Sequence, residues 1–110
     1  MTQSVTTPTG AFSRNPTSGE IINHYPFASA DQLESALQQT AEAFNGWKNS
    51  ALPTRTALLI SIAAGLRKNA SALAEMMTQE MGKPISQGLA EVEKSASLCE
   101  WYAEHGPAML

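Results

Sequence analysis

Apolar residues in this chain fall into four helical stripes behind an N-terminal stretch that lacks them. Leu33, Leu37, Thr40, Phe44 and Trp47 recur at spacings of four, three, four and three, which is one side of a helix. They predict a helix over residues 30–47. Ser29 and Gln32 have the spacing of a capping box at its start. A second helix is predicted over 53–69, opened by Pro53, with Leu59, Ile62 and Leu66 as its stripe. A third is predicted over 70–81, with Leu73, Met76 and Met77 apolar, and Asn69 is placed to end one helix and cap the next. Whether these two form one bent rod stays open at this level. The fourth, over 85–105, has the cleanest pattern: Ile85, Leu89, Val92, Ala96, Cys99 and Ala103. The neighbouring row of Gly88, Glu91, Ser95, Leu98 and Tyr102 mixes polar and apolar groups, as a side bordering something wetter than a core would. Gly106-Pro107 is expected to stop this helix, with His105 against its carbonyl end.

Two short segments punctuate this pattern. Asn15-Pro16-Thr17-Ser18-Gly19-Glu20 reads as a turn, with Asn15 and Pro16 suited to its first two positions and Gly19 to a positive φ. It predicts a β-hairpin over about 11–25, behind a flexible tail over 1–10. A lone two-stranded hairpin is marginal in water and needs something to lie against. Glu80-Met81-Gly82-Lys83-Pro84 reads as a helix stop and restart. Gly82 suits the left-handed position past a helix end, and Pro84 suits the first turn of the next helix.

At 110 residues the chain is one small domain at most. Its net charge of −3 argues against nucleic acid or an anionic membrane as the main partner. Cys99 is the only cysteine, so no internal disulfide forms, which fits a reducing compartment. No apolar run approaches the roughly 18 residues that would span a membrane, and the first ten residues lack the make-up of a secretory signal. The expected location is the cytoplasm.

Candidate chemistry is sparse. Cys99 sits inside an apolar stripe with no sequence-local positive charge to stabilise a thiolate, so it reads as structural. His24 and His105 are far apart, and with one cysteine they do not make a metal site of recognisable spacing. Glu91 and Glu93 are two apart on a helix and cannot face one direction; Glu91 with Lys94 or Ser95 is the expected surface contact. No Gly-rich dinucleotide turn, P-loop or nucleophile elbow occurs. The residues alone assign no catalytic, cofactor-binding or metal-ligating group.

In order and spacing, several of these segments resemble the N-terminal region of the aldehyde dehydrogenase superfamily. Asn15 to Glu20 resembles the family's Asn-Pro-x-Thr-Gly-Glu turn, with Ser18 keeping the hydroxyl of the usual threonine. Glu80 to Pro84, which holds Gly82, Lys83 and Pro84, resembles its Glu-x-Gly-Lys-Pro corner. Ala90-Glu91-Val92 and Glu100-Trp101-Tyr102-Ala103-Glu104 are similar to the bacterial succinate-semialdehyde dehydrogenase branch. Trp47 and the Arg55-x-x-x-Leu59 spacing fit as well. The similarity spans roughly Phe12 to Leu110.

The resemblance implies a mainly α chain with an N-terminal β-hairpin, forming over 11–110 the first part of an α/β Rossmann-like cofactor-binding domain. It implies a longer parent enzyme, a homo-oligomer, that oxidises an aldehyde such as succinate semialdehyde to the acid with NAD or NADP. The family carries its nucleophilic cysteine and activating glutamate in Asn-Phe-Pro, Glu-Leu-Gly-Gly and Gly-Gln-x-Cys segments. None of these occurs here. The chain by itself is therefore expected to be inactive scaffold, and Cys99 is not matched to the nucleophile. The fourth helix is implied to border the substrate entrance, with Glu91 and Lys94 on its wall. For Lys94 the alternative is a solvated salt-bridge partner of Glu91. For the whole chain it is a stand-alone helical binding module without activity.

Overall fold

A computed structural model describes residues 8–110. Most of the tail expected over 1–10 lies outside the described residues. Gly10, assigned to that tail, instead opens strand β1 (Gly10–Arg14), which pairs antiparallel with β2 (Ile21–Pro26). The ladder extends this far because Gly10 stands opposite Pro26 and the Phe27 amide donates to the Thr9 carbonyl at 2.9 Å. The turn forms as its residues dictate. The Asn15 side chain accepts from the Thr17 amide at 2.9 Å, the Gly19 amide donates to the Asn15 carbonyl at 2.8 Å, and Gly19 has φ 78°. Ser13 pairs with Asn23 but Arg14 with Ile21, so Ile22 is an extra residue in β2.

Four helices follow: α1 (Ala30–Trp47), α2 (Leu52–Lys68), α3 (Ala70–Met81) and α4 (Ile85–Met109). The capping box closes α1: the Gln32 amide donates to the Ser29 hydroxyl at 3.1 Å, and the Ser29 amide to the Gln32 side chain at 2.9 Å. α2 and α3 are separate helices that meet at Asn69. Its side chain serves only the first of them. The amide nitrogen donates back to the Gly65 carbonyl at 2.8 Å, and no side-chain bond caps α3.

α2 is shifted by one residue from its expected span of 53–69, and the two ends of α4 also depart from the sequence pattern. Pro84 is extended, with ψ 138°, so it stands at the N-cap and Ile85 begins the first turn. Its carbonyl accepts from the Gln87 and Gly88 amides, both at 3.0 Å. α4 also runs through Gly106-Pro107 to Met109, four residues past the expected stop at 105. A proline's fixed φ is itself helical, and near a helix end it removes only one ladder bond. The last turn also lies over the start of α2, where Leu52, Leu59, Tyr102, Pro107 and Met109 line an apolar cavity of about 290 Å³.

The packed seam is made of small residues. Ala63 of α2, Ala74 of α3, and Gly88, Val92 and Ala96 of α4 are buried. A β-carbon on Gly88 would stand 3.1 Å from the Ala74 Cα and Cβ, so α3 and α4 approach as closely as their backbones allow. Gly88, placed by sequence in the wetter row, instead belongs to the seam. Large apolar residues lie outside it. In α1 no residue is buried, and Leu37 and Phe44 of its stripe are each 58% exposed. The radius of gyration is 19.6 Å, where a compact chain of this length would have about 13 Å.

Candidate functional site

α4 has two working sides. One carries Gly88, Val92 and Ala96 into the seam. The other carries Gln87, Glu91, Lys94 and Leu98, spaced four, three and four, along an open groove. Lys83, Ala90 and Ser95 complete the lining, and the groove encloses about 660 Å³. Glu91 and Lys94, the two residues expected on an entrance wall, both line this groove.

The corner before α4 builds one end of this groove. Gly82 has φ 72° and ends α3, its amide donating to the Thr78 carbonyl at 3.0 Å. The Thr78 hydroxyl donates across the corner to the Lys83 carbonyl at 2.7 Å. This fold-back swings the Lys83 ammonium onto the Glu91 carboxylate. The expected partner of Glu91 was Lys94 or Ser95. Lys94 forms no ion pair among the described residues, and Ser95 donates its hydroxyl to the Glu91 main-chain carbonyl at 2.9 Å. Helix periodicity sees neighbours three and four apart. It does not see an eight-residue contact that depends on the left-handed turn at Gly82.

A second ion cluster pins α4 to α2. The Arg67 Nη2 donates to Glu93 Oε1 at 3.0 Å, and its Nη1 reaches Glu100. Hydrogen bonding from Arg67 holds the Glu93 carboxyl below its usual range, and Glu93 and Glu100 push the Arg67 pKa up. The two glutamates are seven apart, two helical turns, and the sequence reading paired neither with Arg67. Arg55 forms a third junction. Its Nη2 donates to the Trp47 and Lys48 carbonyls at 3.1 and 3.0 Å, and its guanidinium lies 5.7 Å from the Trp47 ring centre. It thereby satisfies carbonyls at the end of α1.

The remaining candidates stay apart. His24 faces Phe12 in the hairpin. His105 lies within α4, short of its end, and stacks on Trp101 at 4.5 Å. Cys99 is partly exposed on α4. No group of three metal-ligating side chains forms among the described residues. Nor do these residues by themselves fit a dinucleotide. The two glycines with positive φ sit in a hairpin turn and at a helix end, not between a strand and a following helix. Asn15, Pro16 and Gly19 form the hairpin turn, and Pro16 touches the corner at Gly82.

The sequence pattern of the Aldehyde dehydrogenase family matches residues 4–110. The NAD(P)+ succinate semialdehyde dehydrogenase Sad of Escherichia coli strain K12 is 49% identical over 106 residues, covering 96% of this chain and 23% of that protein. The 4-(hydroxymethyl)benzenesulfonate dehydrogenase TsaD1 of Comamonas testosteroni is 40% identical over 83% of this chain and 19% of its own length. A crystal structure of an aldehyde dehydrogenase from Brucella melitensis biovar abortus 2308 superposes with a TM-score of 0.79 at 32% identity, over 88% of this chain and 20% of that one. The chain thus spans about a fifth to a quarter of these relatives' length.

Proposed function

Because this chain belongs to the aldehyde dehydrogenase family, we propose that it serves as N-terminal scaffold in an NAD(P)-dependent enzyme that oxidises succinate semialdehyde to the acid. In this reading its helices and hairpin pack on the cofactor-binding domain, and Glu91 and Lys94 face the substrate entrance. The parent is read as a cytoplasmic homo-oligomer. Among the described residues no helix is long and apolar enough to cross a membrane. The residues here do no bond-making. The nucleophile, the activating base and the dinucleotide site belong to the rest of the enzyme, which supplies the hydride acceptor.

One observation carries the scaffold reading. The apolar stripe of α1 lies uncovered along its length, from Leu33 at 57% exposure to Trp47 at 44%. Uncovered apolar surface of this extent marks a face made to be covered. The relative from Escherichia coli supports the choice of substrate.

The test joins this chain to the remainder of that relative and assays oxidation of succinate semialdehyde with NAD+ and NADP+. The chimera is expected to turn over, and the 110-residue chain alone is not. Turnover by the chain alone, or a folded and inactive chimera, overturns the proposal.

A further inference from the structure

The groove on α4 carries a charge opposite to that of the chain around it. Its lining holds two lysines and one glutamate, leaving one net positive charge, while the whole chain carries −3. The arrangement of these three groups decides where that charge sits. Glu91 lies three residues before Lys94, within ordinary helical reach of it. It is nonetheless engaged by Lys83 from the corner. Lys83 is also the less exposed partner, at 28% of its side chain against 50% for Glu91, so water screens its end of the pair less. The positive charge is therefore left on Lys94, which has no ionic partner among the described residues. Beside it, Ala90 and Leu98 offer apolar surface, and Gln87 and Ser95 offer hydrogen bonds.

We infer that Lys83 acts as a charge-setting residue: by holding Glu91 it keeps Lys94 available to draw in aldehydes that carry a carboxylate at the far end of a short methylene chain. This rests on the entrance reading above and adds the residues that would select the substrate and the way they do so. The corner motif then does more than turn the chain. It sets the sign of the field at the mouth. Lys83 is a positioning residue in this scheme, and Lys94 is the group that meets the substrate.

The test uses the full-length enzyme supplied with NAD+ and with NADP+. Its readout is the ratio of kcat/KM for succinate semialdehyde to that for butanal, a neutral aldehyde of the same carbon count. Lys94→Gln is expected to lower the ratio by about three- to five-fold, the size of one partly screened charge contact. Lys83→Met is expected to lower it as well, because Glu91 then turns to Lys94. Glu91→Gln is expected to raise it, and Lys83→Met with Glu91→Gln to restore it. In 1 M salt the differences should collapse, since the Debye length falls to about 3 Å. A ratio unmoved in Lys94→Gln, or a fall in all three single variants, overturns the inference while leaving aldehyde oxidation intact. An enzyme that oxidises no aldehyde overturns the function as well.

Discussion

The Pro16 ring lies 3.3 Å from where a β-carbon on Gly82 would stand. The hairpin turn and the helix corner are 66 residues apart in the chain and meet at this point. Gly82 thus answers two demands at once. Its φ of 72° is one that L side chains rarely adopt, and its bare α-carbon leaves the space that Pro16 Cγ borders.

Gly82→Ala is therefore expected to weaken the corner by about 1–2 kcal/mol, the cost of a side chain in a left-handed conformation. Pro16→Ala in the same background relieves the contact and not the backbone strain, so it should recover only a minor part. Hydrogen exchange at the first-turn amides of α4, measured in the full-length enzyme, reads both effects.

Gly88→Val should cost more. A β-carbon there already stands 3.1 Å from Ala74, and a branched side chain would drive α3 and α4 apart, at about 1–3 kcal/mol. Gly88→Ala should lie near zero. Its gain in helix propensity, up to about 1 kcal/mol, opposes a clash of a few tenths of an ångström. Chemical denaturation of the two variants beside the parent enzyme checks the contrast.

Arg55→Ala removes the donors to the Trp47 and Lys48 carbonyls. Charge-assisted bonds of this kind contribute about 1.5–3 kcal/mol each when well protected, and less where water competes. The expected result is faster amide exchange in the last turn of α1, with α3 and α4 unchanged. Arg55→Lys should fall between, since an ammonium lacks the planar fork.

The Arg67–Glu93 pair sets an acid response. Glu93 is held below its ordinary range mainly by hydrogen bonds from Arg67. A carboxyl depressed in the folded state contributes stability that is fully present above its unfolded pKa, near 4.3, and lost as pH falls through the lower folded value. Stability curves between pH 6 and 2 should thus steepen below about pH 4.3. In Glu93→Gln that part of the slope should vanish.

Local signals in the sequence located most of the fold, and each works over a few residues. Ser29 and Gln32 gave the start of α1, and Gly82 gave the end of α3, because capping groups act on their own turn. Pro107 misled for the same reason: its local preference is to stop a helix, yet its fixed φ is helical, and near the end of α4 it removes only a single bond. At the groove, Glu91, Ser95 and Leu98 were readable from periodicity as one mixed row, while Lys94 was placed on the wall with them only by the family resemblance. The partner of Glu91 was not readable. That contact depends on how the chain reverses at Gly82, and reversal brings together residues whose spacing carries no helical meaning. The partners of Arg67 were hidden likewise, because its two glutamates come from a helix that only tertiary packing brings near.

The seam of Ala63, Ala74, Gly88, Val92 and Ala96 has a mechanical consequence. Smooth surfaces built of small residues let helices come close, and they offer little resistance to one helix sliding along another. No large side chain among them acts as a key. Arg67 supplies the missing stop. Its fork reaches Glu93 and Glu100, which lie about 10 Å apart along the axis of α4. A slip of one turn, about 5.4 Å, would carry at least one of the two carboxylates out of reach and break the double contact. The charges that look like surface decoration therefore fix the axial position of α4, and with it the position of everything its outer face presents.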